Sequence, residues 1–238
     1  MRITIFILFI FFLSVNVLPQ DRTKLDTANS EAEKVNAVLK TFLSLGTDSV
    51  PFEVFKKAKG IAVFENVSQL NLLMSKGGKG KGLVTIRNGD GWSIPTFVNF
   101  AHFGYELKIA DKKNFDIICF IMTQYLIEKL KTGSIKPDEL NNHKLALGPV
   151  VKGAGADVVI ERSSLIYYTF QYGKLSGIEF QNDGFFTGIT ITHDNKLNQA
   201  IYQKKGQTIL SQNPNNLTPL NTVNLFQQTI IDSLKPKE

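Results

Sequence analysis

Between Ile61 and Thr192 the chain is a succession of short apolar, β-branched and aromatic runs cut by glycine, asparagine and aspartate, and this pattern limits the fold more than any other feature. Such runs fit a pleated, half-buried surface, and the separators tolerate the backbone angles of tight turns. Strands are expected at residues 61–64, 70–74, 82–87, 96–101, 106–110, 115–122, 158–160, 166–172, 175–181 and 187–192. One helix interrupts them at 123–131, with Tyr125, Leu126 and Leu130 placed to pack and Gly133 as its stop. A shorter helix at 194–204 carries Leu197, Ile201 and Tyr202. The expected class is α+β: a curled or barrel-like, mainly antiparallel β-sheet with N-terminal helices and the mid-chain helix packed on it.

The N-terminal helices are read from period and punctuation. Val35, Val38, Leu39, Phe42 and Leu43 share one face of a helix over 30–45, with Ser30-x-x-Glu33 as a capping box and Gly46 as the stop. Pro51 opens a second helix with Phe52, Phe55 and Ala58 inward, Lys56, Lys57 and Lys59 outward, and Gly60 at its end. At the other end, residues 212–238 turn to Asn, Pro and Gln, yet Leu220, Val223, Phe226, Ile230 and Leu234 keep helical spacing. That segment is either a docking helix or a loosely attached amphipathic tail.

Asn88-Gly89-Asp90-Gly91 is a hairpin turn, and the lone tryptophan, Trp92, follows it directly. Pro95 lacks a ladder donor and marks a strand start, an edge or a bulge. The ring of Trp92 is read as a core aromatic behind the turn.

The first residues are organised as a secretory signal: Met1-Arg2, an apolar run over 3–13, then polar residues from Gln20. The expectation is a signal peptide at 1–20, a domain at 21–210 and a tail at 211–238; an uncleaved anchor is the alternative. Export places the protein in the periplasm or cell envelope. The formal charge of +6 fits an anionic membrane surface or an acidic polymer. A single cysteine, Cys119, inside an apolar run rules out an internal disulfide framework.

Lys76-Gly77-Gly78-Lys79-Gly80-Lys81-Gly82 combines three lysines with glycines that let backbone approach an anion. It has neither the Walker spacing nor Gly-x-Gly-x-x-Gly, and a solvated turn between strands is the favoured reading over a phosphate cradle. His102, His143 and His193 share no metal-ligand spacing, so no metal is expected. No Gly-x-Ser-x-Gly or paired carboxylates appear, so neither catalysis nor a cofactor is expected. Nucleic-acid binding has no RNP-like or zinc-finger motif behind it, and an export signal opposes it.

Ala58-Lys59-Gly60-Ile61-Ala62-Val63-Phe64, Gly80-Lys81-Gly82-Leu83-Val84, Gly91-Trp92-Ser93-Ile94-Pro95-Thr96-Phe97, Gly148-Pro149-Val150 and Tyr167-Tyr168-Thr169-Phe170 occur in this order. In that order they resemble the SYLF domain family, over roughly residues 32–202. The motif positions are Gly80, Gly82, Trp92, Ser93, Pro95, Phe97, Gly148 and Pro149. This chain departs from the family pattern at Val151-Lys152, where Gly-Arg is usual, and keeps the charge without the guanidinium fork.

The resemblance implies non-catalytic binding of anionic, phosphoinositide-type lipid head groups, phosphoinositides being the ligands of the eukaryotic members, and within the family the chain is similar to the exported bacterial group. Lys76, Lys79, Lys81 and Lys152 are the expected lipid-contacting residues. Actin, a partner of eukaryotic members, is not expected for an exported protein. The alternative is an envelope structural or protein-interaction module without a specific lipid ligand.

Overall fold

The Asn88–Gly91 turn does what its residues require. Gly89 adopts φ +58°, and Arg87 pairs with Trp92 and Asn88 with Gly91 across a two-residue connection. The computed structural model describes residues 19–45, 52–72, 75–104, 114–140, 145–147, 160–171, 174–175, 188–212 and 217–235.

The helices are α1 (Pro19–Ser44), α2 (Phe52–Lys57), α3 (Gln124–Thr132), α4 (Pro137–Leu140), α5 (Asn195–Tyr202), α6 (Gly206–Gln212) and α7 (Asn221–Ser233). The strands are β1 (Gly60–Leu72), β2 (Ser75–Asn88), β3 (Gly91–Trp92), β4 (Thr96–Gly104), β5 (Asn114–Ile121), β6 (Ser134–Ile135), β7 (Leu145–Leu147), β8 (Leu165–Gln171), β9 (Lys174–Leu175) and β10 (Ile189–His193). Together they form one ten-stranded sheet in the order β6-β10-β4-β2-β1-β5-β8-β7, with β3 on β2 and β9 on β8. Every pairing is antiparallel except β7 with β8. The sheet curls into a half-barrel, and the class is α+β.

Both faces of the central strands are covered, which is why Ile61-Ala62-Val63-Phe64 reads as continuous apolar sequence. Ile61 and Val63 join a core with α1, α2, α5 and α7, whereas Ala62 and Phe64 join a second core with α3. In that second core, Phe64 of β1 meets Phe100 of β4 at 5.1 Å between ring centres, although β2 lies between their strands. Glycines of β2 make this possible. A Cβ on Gly82 would overlap the Val63 carbonyl, and one on Gly80 would sit 2.6 Å from Val67 Cγ2.

α1 crosses the sheet. Ala28, Ala32, Val35, Leu39 and Phe42 recur at steps of four and three and are fully buried. From Glu31 to Phe42 the helix rises about 16 Å, enough to pass from β2 to β8 over gaps of about 4.8 Å each. Phe42 accordingly packs 5.1 Å from the rings of both Tyr168 and Phe170 on β8. α7 lies on α1: Asn36 donates to the Thr222 carbonyl at 2.7 Å, and Val223, Phe226 and Ile230 are buried. Within the C-terminal segment, Asn221–Ser233 is thus a helix packed on α1.

Several local expectations are corrected. α1 begins at Pro19, so Ser30 and Glu33 are mid-helix and form no capping box; Ala28 extends the apolar stripe backwards and carries the helix with it. The lysine–glycine run is strand, not turn. The strands expected at 61–64 and 70–74 merge into β1, with a bulge between Glu65 and Ser68 where Asn66 takes φ 49°. Phe52 and Tyr125 are 37% and 44% exposed, because Val54 and Phe55 in α2, and Leu126, Ile127 and Leu130 in α3, fill the buried arcs. Ile160 lies in a helical turn. The strand expected at 106–110, most of that at 175–181, Gly46, Pro51, His143, Gly148, Pro149 and Lys152 lie outside the described residues.

Candidate functional site

Alternation along β2 puts Lys79 and Lys81 on one face of the sheet and Gly78, Gly80 and Gly82 on the other. Register extends the lysine face in two rows. Lys79 stands opposite Ser68 on β1 and Ala101 on β4, and Ala101 opposite Thr190 on β10. Lys81 stands opposite Glu65 and Asn99, and Asn99 opposite Thr192. The next row, Val63, Leu83 and Phe97, is apolar and belongs to the core under α1. The two rows beyond it form a terrace in which Lys79 is exposed and Ser68, Asn99, Ala101, Thr190 and Thr192 are half-buried.

Lys81 stands beside the middle of α1. Its ammonium lies 3.5 Å from Glu31 Oε2 and 3.9 Å from Asp194 Oδ2, and Lys34 pairs with Glu65 at 3.7 Å. Asp194 also caps α5, its Oδ1 accepting from the Lys196 and Leu197 amides at 3.1 Å. The Glu31 side chain is only 5% exposed, whereas that of Lys81 is 49% exposed. Burial pushes the Glu31 carboxyl up to about 7; Lys81 opposes the rise, and the charges of Asp194 and Glu65 add to it. Glu31 Oε1 has no hydrogen-bond partner among the described residues.

Of the four lysines expected to act together, Lys79 and Lys81 share this face. The backbone of Lys76 pairs with Asn71 and Gly104, and its side chain, like Lys152, is outside the described residues. Glu31 and Asp194 were not singled out from sequence. One signal was available: Glu31 is a charge inside the apolar stripe of α1, a position that demands a partner from another element.

The tryptophan block is a structural junction. Trp92 is 8% exposed, and the Arg87 guanidinium lies 4.7 Å from its ring centre while donating to the Ala58 and Lys56 carbonyls at the end of α2. The Ser93 hydroxyl accepts from the Ile86 amide at 3.1 Å. The Pro95 carbonyl accepts from Tyr202 at 2.9 Å, and Asn198 bonds both the amide and the carbonyl of Phe97. Gln227 of α7 reaches the Trp92 and Ser93 carbonyls at 2.7 and 3.1 Å.

The histidines that can be placed lie elsewhere. His102 borders an apolar cavity of about 10 Å³ with Phe100, Phe115, Ile117, Cys119, Tyr167 and Ile189, room for about one water. Burial lowers its pKa to about 4. His193 contacts the Leu130 carbonyl at 2.9 Å. Burial pushes the Cys119 thiol well up. Among the described residues no three His, Cys, Asp or Glu side chains converge to hold a metal, and no helix is long and apolar enough to cross a membrane.

No family model and no solved structure matches the chain. Curated relatives do. Over 162 residues the chain is 27% identical to SH3 domain-containing YSC84-like protein 1 of Xenopus laevis, covering 65% of this chain and 47% of the frog protein. The Homo sapiens protein of that name is 26% identical over 160 residues, covering 64% of this chain and 45% of its own length. That of Bos taurus is 25% identical over 159 residues, covering 64% and 46%. The chain thus spans about half the length of the relatives it matches.

Proposed function

The chain belongs to the SYLF-domain family, a family of lipid or protein-interaction modules, and from that premise we propose that it is a non-catalytic module that binds anionic phospholipid head groups through the Lys79–Lys81 face. What supports this is the company those lysines keep. Asn99, Thr190 and Thr192 bring hydroxyl and amide groups beside two cations on a half-open sheet face, and the Ser68 hydroxyl donates to the Lys79 carbonyl at 3.3 Å. Phosphate esters take that combination of charge and short polar donors. The proposed address is the cell envelope, on the strength of the basic and apolar stretch that opens the sequence.

A surface lysine near an anionic bilayer contributes about 1 kcal/mol, so losing one weakens binding about fivefold. Co-sedimentation with phosphatidylcholine vesicles, with and without phosphatidylserine and at low and high salt, tests the reading. Binding should require the anionic lipid, fall with salt and fall again in Lys79→Ala. Equal binding to neutral vesicles would sink it. So would an unaltered Lys79→Ala variant, and a stoichiometric protein partner captured from envelope extract would then favour a protein-interaction module.

A further inference from the structure

The buried carboxylate at the edge of the terrace has a role that the binding face alone does not require. We propose that Glu31 is an internal competitor for Lys81: charged, it holds the ammonium against α1 together with Asp194, and protonated, it releases the ammonium to an outside anion. The proposal rests on the reading of this face as an anion-binding surface and adds its regulation.

The geometry is that of a weak latch. At 3.5 and 3.9 Å, both contacts of Lys81 are longer than the 2.7–2.9 Å of a strong charge-assisted hydrogen bond. The ammonium is half open to solvent, so an external phosphate can reach it, while the carboxylate is enclosed and cannot follow. Glu31 is a costly anion in this place, buried and with one oxygen unbonded among the described residues. The charged groups facing it are Lys81 from β2, Glu65 from β1 and Asp194 at the head of α5. Lys34, on its own helix, is drawn to Glu65. α7, on the other side of α1, contributes the uncharged Thr222 to Asn29 and Asn36. Lys81, by its charge and its hydrogen bond, opposes the neutral form more strongly than Asp194 and Glu65 favour it; burial outweighs Lys81, and the latch opens as pH falls through the neutral range.

The test uses the chain with and without vesicles. Without lipid, reductive ¹³C-methylation makes each lysine visible by NMR, and loss of one signal in Lys81→Arg assigns Lys81. That signal should move with pH around neutrality in the wild type and stay flat in Glu31→Gln. An identical profile in both overturns the latch.

With vesicles containing about one-fifth phosphatidylserine, Glu31→Gln should bind about fivefold tighter than wild type at about pH 8 and equally at about pH 6. Adding Lys81→Ala should erase that gain. Asp194→Asn, which keeps a good cap for α5, should shift binding in the same direction as Glu31→Gln. If wild type and Glu31→Gln bind equally at both pH values, the latch is wrong and the lipid reading survives. If no variant binds at any pH, the lipid reading fails, and the release to an outside anion fails with it.

Discussion

Replacing Glu31 by glutamine should stabilise the protein above neutral pH. The carboxyl is pushed up from 4.5 to about 7 in the folded chain, mainly by burial, and returns to its ordinary value on unfolding. The sign follows from linkage. A carboxyl raised on folding adds stability that is fully present below about 4.5 and is lost as pH rises through about 7. At 1.36 kcal/mol per pKa unit, that rise is worth about 3 kcal/mol, all of it missing from the wild type at about pH 8. Glutamine keeps the shape and stays neutral. Urea unfolding at about pH 5 and about pH 8 should therefore show wild type losing up to about 3 kcal/mol between them relative to Glu31→Gln. The reasoning is refuted if Glu31→Gln is the less stable protein at about pH 8, since the Lys81 ion pair would then outweigh the cost of burying the charge.

Gly82→Ala places a methyl group on the Val63 carbonyl, and neither backbone can yield cheaply; a loss of about 3 kcal/mol is expected in urea unfolding. Asn198→Ala leaves the amide and carbonyl of Phe97 buried without their partner, so a loss of about 2–4 kcal/mol should appear in the same assay. Phe226→Ala empties the contact by which α7 sits on α1 and should cost about 3–5 kcal/mol; thermal unfolding indifferent to it would mean that α7 is not part of the cooperative core.

Much of this fold is legible in local sequence, and the remainder depends on partners from distant segments. The Asn88–Gly91 turn and α3 with its stop at Gly133 are visible because each is decided within a few residues. The lysine–glycine run misleads because glycine signals a turn unless something presses on it, and what presses on Gly80 and Gly82 is Val67 and Val63 of β1. Its parity with Leu83 and Thr85 was the local clue that it continues a strand. Ser30-x-x-Glu33 is a sound capping signal that loses to Ala28, whose burial draws the helix one stripe further back. At the site, Lys79 and Lys81 could be named from composition and resemblance. Glu31 could not be matched to Lys81, because that pairing depends on where α1 crosses the sheet.

The central claim is that anionic lipid meets the protein on the Lys79–Lys81 face, and proximity to the bilayer tests it most directly. Lysine-methyl NMR signals recorded with vesicles carrying spin-labelled anionic lipid should broaden at Lys79 and Lys81 and remain sharp at Lys129, Lys131 and Lys235, which sit on other elements. Broadening that is uniform, or strongest on α3 or beyond α7, would contradict the account.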